Sequence, residues 1–308
     1  MSTTQKPSVI HVGAEVPLCS ARYRAHFTLH PLPVDGAARA ATALIAKAPV
    51  TAEIIAALPQ LRHIAVYGVG YDKIDVAAAR ARGIAVTNTP GPTDGCVADM
   101  AFALLLAAAR GIASGDRFVR AGKWPDGAYP LLPRIHSRTM GILGLGRIGL
   151  AIARRAAAFD MPVLYHNRRP VPGVPYSYRE SVAALARDCD LLVVACPGGE
   201  ATRGLVSAAV LRALGPRGIV VNIARGSIID EPALVEALQN GTIAAAGLDV
   251  FDHEPTVPAD LLALDNVVLM PHRGGGTIET WEECADMVIA NLAAHFAGAP
   301  LPNPIPGD

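Results

Sequence analysis

Met140-Gly141-Ile142-Leu143-Gly144-Leu145-Gly146-Arg147-Ile148-Gly149 decides the fold of this 308-residue chain. A short apolar run ends in a G-x-G-x-x-G, and a stretch with helical patterning continues to Phe159. Strand, glycine turn and helix in that order form the context in which this motif holds a dinucleotide. Gly144 permits the tight turn, Gly146 lets backbone N–H groups approach a pyrophosphate, and Gly149 lets the helix lie close to the sheet. Arg147 and Ile148 belong to the same turn and count with the glycines as candidate cofactor contacts.

Around this turn, apolar runs alternate with helical patterns. Strands are expected at Thr139–Leu143, Pro162–His166, Asp190–Ala195, Gly218–Ile223, Ala244–Asp249 and Asn266–Met270. Helices are expected between several of them, at Arg147–Phe159, Ser181–Arg187, Ala208–Leu214 and Glu231–Asn240. That alternation describes a doubly wound parallel sheet. The first third reads as a smaller α/β unit, with strands at Ser8–Val12, Leu61–Tyr67 and Ile84–Asn88 and helices at Ala37–Lys47, Thr51–Leu58 and Ile74–Arg82. Val97–Arg110 is a helix apolar on almost all sides, hence buried. Ser114–Ser137, dense in proline, is an ordered excursion at best. A last helix, Glu279–Ala297, is long enough to return the chain to the first unit. The fold class is therefore α/β, with two Rossmann-like or flavodoxin-like domains built on parallel sheets. The first comprises residues 1–98 and 287–308, and the dinucleotide-binding domain comprises 99–286.

Composition narrows the function classes. Lys plus Arg and Asp plus Glu are 27 each, which leaves no broad electrostatic footprint for nucleic acid or anionic lipid. Hydrophobic residues reach 51% with only 5% aromatics, which favours helices on buried parallel strands over a β-sandwich. The five scattered cysteines (Cys19, Cys96, Cys189, Cys196, Cys284) contain no C-x-x-C and read as reduced thiols. No signal peptide and no membrane-length apolar stretch is found, so a cytoplasmic protein is expected. His26 and His30 stand four apart on a run that alternates like a strand, and no metal is expected there.

Three polar residues follow strand ends: Arg225 after Gly218–Ile223, Glu254 after Ala244–Asp249, and His272 after Asn266–Met270. A guanidinium is a planar, permanently charged fork for a carboxylate and its neighbouring keto oxygen. An imidazole titrates near neutrality and can give a proton to a developing alkoxide, and a carboxylate beside it holds the ring and favours its charged form. Each residue alone has a plainer role: a surface ion pair, a turn cap, a satisfied loop histidine. Their joint placement past strand ends points to chemistry. Near residue 167, about 20 beyond the glycines, an NAD site places an acidic residue. Here stand Asn167 and then Arg168 and Arg169; the two arginines would attract a 2′-phosphate, so NADPH is expected over NADH, and the plainer role for them is a solvated edge.

Ala224-Arg225-Gly226, Gly247–Pro255, Pro271-His272, Tyr67–Asp75 and Asn88-Thr89-Pro90-Gly91, together with the glycine turn, resemble the D-isomer-specific 2-hydroxyacid dehydrogenase family over nearly the whole chain. Asn167-Arg168-Arg169, Trp124 with Gly127, Cys196-Pro197-Gly198-Gly199 and His272–Thr277 resemble its NADPH-dependent glyoxylate/hydroxypyruvate reductases. The resemblance implies that Arg225 binds substrate, that His272 is the acid/base and that Glu254 is its partner. It further implies that Val69 and Gly70 grip the substrate carboxylate through backbone N–H groups and that Asp249 holds the nicotinamide carboxamide. Pro197, Thr202, Ile223, Ala224 and Gly274 would complete the cofactor contacts. It implies an active-site cleft between the domains and a homodimer served by the helix from Val97. Two departures stand out: Gly95-Cys96, where acidic residues are common, and Arg273 directly after the expected acid. Two other readings remain: a reductase of bulkier acids such as phenylpyruvate or hydroxyphenylpyruvate, and, in another class, a nicotinamide-sensing regulatory protein.

Overall fold

Ile10, Leu44, Ile64 and Val86 are fully buried at the centres of short apolar runs, which is what a parallel sheet covered on both faces requires. In the computed structural model, which describes residues 6–33 and 39–307, these runs form one five-stranded sheet. Its strands are β1 (Ser8–Val12), β2 (Thr28–Pro31), β3 (Ala43–Ala46), β4 (His63–Val66) and β5 (Ala85–Thr87), all parallel, in the order β2-β1-β3-β4-β5. That is the flavodoxin-like order. The intervening helices are α1 (Pro17–His26), α2 (Ala52–Ala57) and α3 (Val76–Ala81). Thr51 and Asp75 cap the latter two by accepting from the N–H groups of Ile54 and Ala78.

One expectation in this unit is corrected. The helix expected over Ala37–Lys47 is instead strand β3, with Ala43, Leu44 and Ile45 fully buried; Ala37 and Ala38 lie outside the described residues. A short apolar run carries no period, so a buried strand and a buried helix read alike, and alanine tips the reading toward helix. Parallel pairing on both edges, to β1 and β4, decides for strand.

The second sheet holds seven parallel strands in the order β12-β11-β10-β9-β6-β7-β8. They are β6 (Met140–Leu143), β7 (Val163–His166), β8 (Ser177–Tyr178), β9 (Leu191–Val194), β10 (Ile219–Asn222), β11 (Ala245–Leu248) and β12 (Val267–Leu269). The order reverses between β6 and β9, the switch point beside which such sheets bind dinucleotides. The two-residue β8 adds an edge strand to the six expected. Preceding the sheet are α4 (Thr93–Ala109) and α5 (Ile112–Arg120); between its strands lie α6 (Arg147–Ala157), α7 (Val182–Asp188), α8 (Ala208–Leu214), α9 (Glu231–Gln239) and α10 (Ala259–Leu262). The apolar character of α4 is explained within this unit: Ala101, Phe102, Leu104 and Leu105 pack with Ile142, Val193 and Val221 of the sheet. A Cβ on Gly247 of β11 would lie 2.9 Å from that of Leu104, so helix and strand touch closely.

The last helix, α11 (Ile278–Ala297), runs from Thr277, whose hydroxyl accepts from Thr280 N–H, to a left-handed Gly298. Its Ala285, Val288 and Leu292 pack with Val9, Tyr23, Ile45 and Ala65 of the first sheet and α1. The chain divides into Met1–Thr93 with Gly275–Asp308, and Asp94–Gly274. The return to the first unit thus precedes α11, where the sequence placed it at residue 287, because the whole apolar face of that helix belongs to one core. Among the described residues, no single helix is long and apolar enough to cross a membrane.

Candidate active site

The three glycines after β6 serve distinct ends. Gly144 has φ +101°, and a Cβ there would stand 2.5 Å from the Cys196 backbone. At Gly149 a Cβ would stand 2.2 Å from the Gly144 carbonyl oxygen. At Gly146 it would meet nothing within 4 Å. Two glycines therefore permit backbone contact, and the middle one leaves an open cradle. Gly146 is also the N-cap of α6 and offers no side-chain acceptor, which leaves the first-turn N–H groups available to an anion. These features fit the pyrophosphate of a dinucleotide. The Arg147 side chain is held by Asp94 at 3.0 Å, and Ile148 is half-buried.

At the tip of β7, Asn167 Oδ1 accepts from Leu145 N–H at 2.6 Å. The bond ties the side chain to the glycine turn, and its Nδ2 makes no hydrogen bond among the described residues. Arg168 and Arg169 are exposed and have no carboxylate partner among the described residues. Cys196, at the end of β9, is buried, which pushes its thiol up to about 11 and leaves it a poor nucleophile. Thr202 donates from its hydroxyl to the Pro197 carbonyl at 2.9 Å and so closes the turn after β9.

The candidate reacting groups follow the carboxyl ends of three neighbouring strands. Arg225 follows β10. Asn222, fully buried, braces its turn from both sides: Nδ2 donates to the Arg225 carbonyl at 2.8 Å, and Oδ1 accepts from Ala224 N–H at 3.1 Å. Glu254 follows β11 and accepts from Phe251 N–H at 3.2 Å. His272 follows β12, and its Nδ1 lies 2.9 and 3.0 Å from the two oxygens of Glu254. Gly226 ties the first two turns together, since a Cβ there would sit 1.9 Å from the Phe251 carbonyl carbon. The structure therefore brings Glu254 and His272 into direct contact and places the Arg225 turn in backbone contact with the turn that carries Glu254.

His272 has φ +52°, the left-handed region that a histidine seldom occupies. Asp249 supports this turn: its two oxygens accept from the N–H groups of Arg273 and Gly274, each at 2.7 Å. Burial raises the Asp249 carboxyl above its usual range, and these two donors pull it back. Asp249 and Gly274, both expected at the cofactor, are bonded here to each other. Ile223 is buried beside the Arg225 turn.

In the first unit, Gly68-Val69-Gly70 follows β4. Gly68 has φ +123° and donates its N–H to the Thr89 hydroxyl at 2.9 Å, while Asn88 Nδ2 donates to the Val69 carbonyl at 2.7 Å. Beside this turn, Lys47 Nζ lies 4.4 Å from the Trp281 ring centre and 5.1 Å from that of Tyr67. The sequence signalled neither this cluster nor the Asn222 brace. A polar residue at the end of the apolar run Ile219-Val220-Val221 was the available clue to Asn222. Among the described residues, no group of three or more His, Cys, Asp or Glu is placed to hold a metal.

Comparison with known proteins bears on this geometry. Residues 102–274 match the model of the D-isomer specific 2-hydroxyacid dehydrogenase, NAD binding domain. The chain is 48% identical over 254 residues to hydroxyphenylpyruvate reductase of Plectranthus scutellarioides, covering 82% of this chain and 81% of that protein. It is 46% identical over 260 residues to a glyoxylate/hydroxypyruvate reductase of Arabidopsis thaliana, covering 84% and 83%. An NADPH-dependent glyoxylate/hydroxypyruvate reductase from Sinorhizobium meliloti, solved with NADP and malonate, superposes with a TM-score of 0.94 at 40% identity, covering 98% of this chain and 97% of that one. With a doubly wound nucleotide sheet and full-length relatives of this kind, the chain belongs to the D-isomer specific 2-hydroxyacid dehydrogenase family.

Proposed function

We propose that this protein reduces small 2-oxo acids, glyoxylate and hydroxypyruvate, to 2-hydroxy acids, of D configuration where the product is chiral. The contact between His272 and Glu254, beside the Arg225 turn at the carboxyl edge of a dinucleotide-binding sheet, is the observation that carries the reading. A bound NADPH supplies the hydride to the keto carbon. Arg225 binds the carboxylate and keto oxygen, and the backbone N–H groups of Val69 and Gly70 hold the carboxylate. Glu254 only accepts hydrogen bonds, so Nδ1 of His272 carries a hydrogen and Nε2 is the atom that delivers a proton to the alkoxide. The glycine turn 144–149 would hold the pyrophosphate, Pro197 and Thr202 would line the coenzyme channel, Ile223 and Asp249 would meet the nicotinamide, and Ala224 and Gly274 would complete the coenzyme contacts.

NADPH is the proposed coenzyme. No carboxylate stands at the tip of β7, where Asn167 is tied to the glycine turn and Arg168 and Arg169 are exposed, so this edge offers donors and positive charge to a 2′-phosphate. A charge-assisted hydrogen bond contributes about 1.5–3 kcal/mol. Replacing both arginines by alanine raises KM for NADPH far more than for NADH; equal effects overturn the preference. The substrate test is turnover of a panel of 2-oxo acids with both coenzymes, and no reduction of glyoxylate or hydroxypyruvate overturns the proposal. A reductase of bulkier acids is the second reading, supported by the 48% identity to hydroxyphenylpyruvate reductase; a kcat/KM highest for the aromatic acids would select it.

A cytoplasmic homodimer is the proposed working form. Its support is the outer face of α4, where Met100, Ala103, Leu106 and Ala107 stay partly or fully exposed, and the exposed Ile112 and Val119 that follow on α5. A monomer mass by light scattering overturns it.

A further inference from the structure

We infer that Gly198 is a positioning residue for Arg225: the missing side chain at 198 is the floor on which the arginine stem lies, and it sets the direction of the guanidinium. The inference rests on the reading of Arg225 as the substrate-binding arginine.

Gly198 lies in the turn after β9, next to the strand that delivers Arg225. A Cβ at 198 would stand 2.5 Å from Cγ of Arg225, 3.2 Å from its Cβ and 3.6 Å from its Cδ. These are the atoms closest to the arginine backbone, not the movable far end of the chain. The backbone itself is pinned. Asn222 bonds the Ala224 N–H and the Arg225 carbonyl, and Gly226 is wedged against Phe251 and Asp252. With the backbone fixed, an added methyl can be accommodated only by a change of rotamer in Arg225, and a rotation near the root of a long side chain swings its tip the furthest. The tip is the planar fork that must meet a carboxylate and a keto oxygen together, and a misplacement of about 1 Å in such a group costs on the order of a hundredfold.

The neighbouring glycine makes the contrast. Gly199 has φ +127° with nothing within 4 Å, so glycine is needed there for its backbone. Gly198 has no left-handed φ. Its backbone accepts alanine without strain, and the only group in the way is Arg225. The need for glycine at 198 therefore belongs to the arginine it faces.

The test is a double-mutant cycle of Gly198→Ala and Arg225→Ala in the full-length protein, read by Tm, by the Kd for NADPH and by kcat/KM for glyoxylate. The expected result is that Gly198→Ala lowers kcat/KM by about tenfold or more while the NADPH Kd stays within about twofold. Its cost in Tm is largest with Arg225 in place and much smaller in the Arg225→Ala background, where the 2.5 Å contact with Cγ is gone and only the 3.2 Å contact with Cβ remains. Failure of Gly198→Ala to fold, with the double variant folded, counts in favour for the same reason. A kcat/KM unchanged in Gly198→Ala, or an equal loss of Tm in both backgrounds, overturns the inference. Undiminished kcat/KM in Arg225→Ala overturns instead the substrate role of the arginine, and the Tm cycle then still reports whether the two residues pack as described.

Discussion

Both units end a parallel strand in a G-x-G, and the two turns work differently. After β6, Gly144 combines a φ of +101° with a Cys196 backbone atom 2.5 Å from where a Cβ would be, and Gly149 is a glycine by contact alone, with the Gly144 carbonyl oxygen at 2.2 Å. After β4, Gly68 has open space around it and is required by its φ of +123°. The first turn adds close backbone contacts to its dihedral angle, and the second rests on one dihedral angle braced by Asn88 and Thr89. One short sequence pattern thus has two physical causes, and substitutions at the two turns should fail in different ways. The units also divide the proposed work: the second carries the proton donor and the coenzyme turn, the first a backbone grip.

The largest effect should come from the chemistry of the second unit. His272→Asn keeps a residue that tolerates the left-handed backbone and removes the proposed acid; kcat should fall by about 10²–10⁴ with coenzyme binding intact. A variant retaining near-normal kcat would remove the reacting group from this unit. Next, Gly149→Ala should destabilise the second unit by about 3 kcal/mol, because a carbonyl oxygen cannot yield as a side chain can, and should abolish measurable NADPH binding. Calorimetry with and without coenzyme reads both. Gly68→Ala should be milder, about 1–2 kcal/mol of backbone strain, and should raise KM for the 2-oxo acid while leaving the KM for NADPH unchanged. Equal costs at 149 and 68 would erase the distinction between contact and dihedral.

The effect that is smallest at neutral pH, and grows only on acidification, belongs to the first unit. His63 on β4 is fully buried, bonded to the Thr87 hydroxyl at 2.9 Å, and burial lowers its pKa to about 3. Burial also lowers that of His295, whose ring lies 5.2 Å away. The unfolded chain takes up protons below about pH 6.5 and the folded one does not. Stability is therefore full above that pH and is lost as pH falls from about 6.5 toward the folded value, by up to about 1.4 kcal/mol per pH unit for each such histidine. Urea melts at several pH values, with His63→Leu as the reference, should show a flatter dependence in the variant. A slope equal to that of the parent protein would mean that His63 does not set it.

The two sheets were legible in the sequence to different degrees. Strands flanked by motif and turn, such as β6 and β10, fall within a residue or two of their expected ends. Elements without a strong period, α1, the two-residue β8 and β3, are not legible as such, and α5, which has one, is obscured by the proline-dense stretch that begins within it. The same limit applies at the site. Arg225, Glu254 and His272 are recognisable because their residue types match the chemistry and each follows a strand. Asn222, Gly198 and the bonding of Asp249 to its neighbouring loop are recognisable only once separate strands lie side by side.

What the sequence determined alone is the class of fold, the dinucleotide turn and the identity of the candidate reacting groups, because periodicity, glycine spacing and side-chain chemistry are local properties. Which apolar run became a strand, which carboxylate oxygen met which nitrogen, and why a given glycine admits no methyl were decided by tertiary structure. Those depend on what lies a few ångströms away across the sheet, and the neighbours there come from distant parts of the chain.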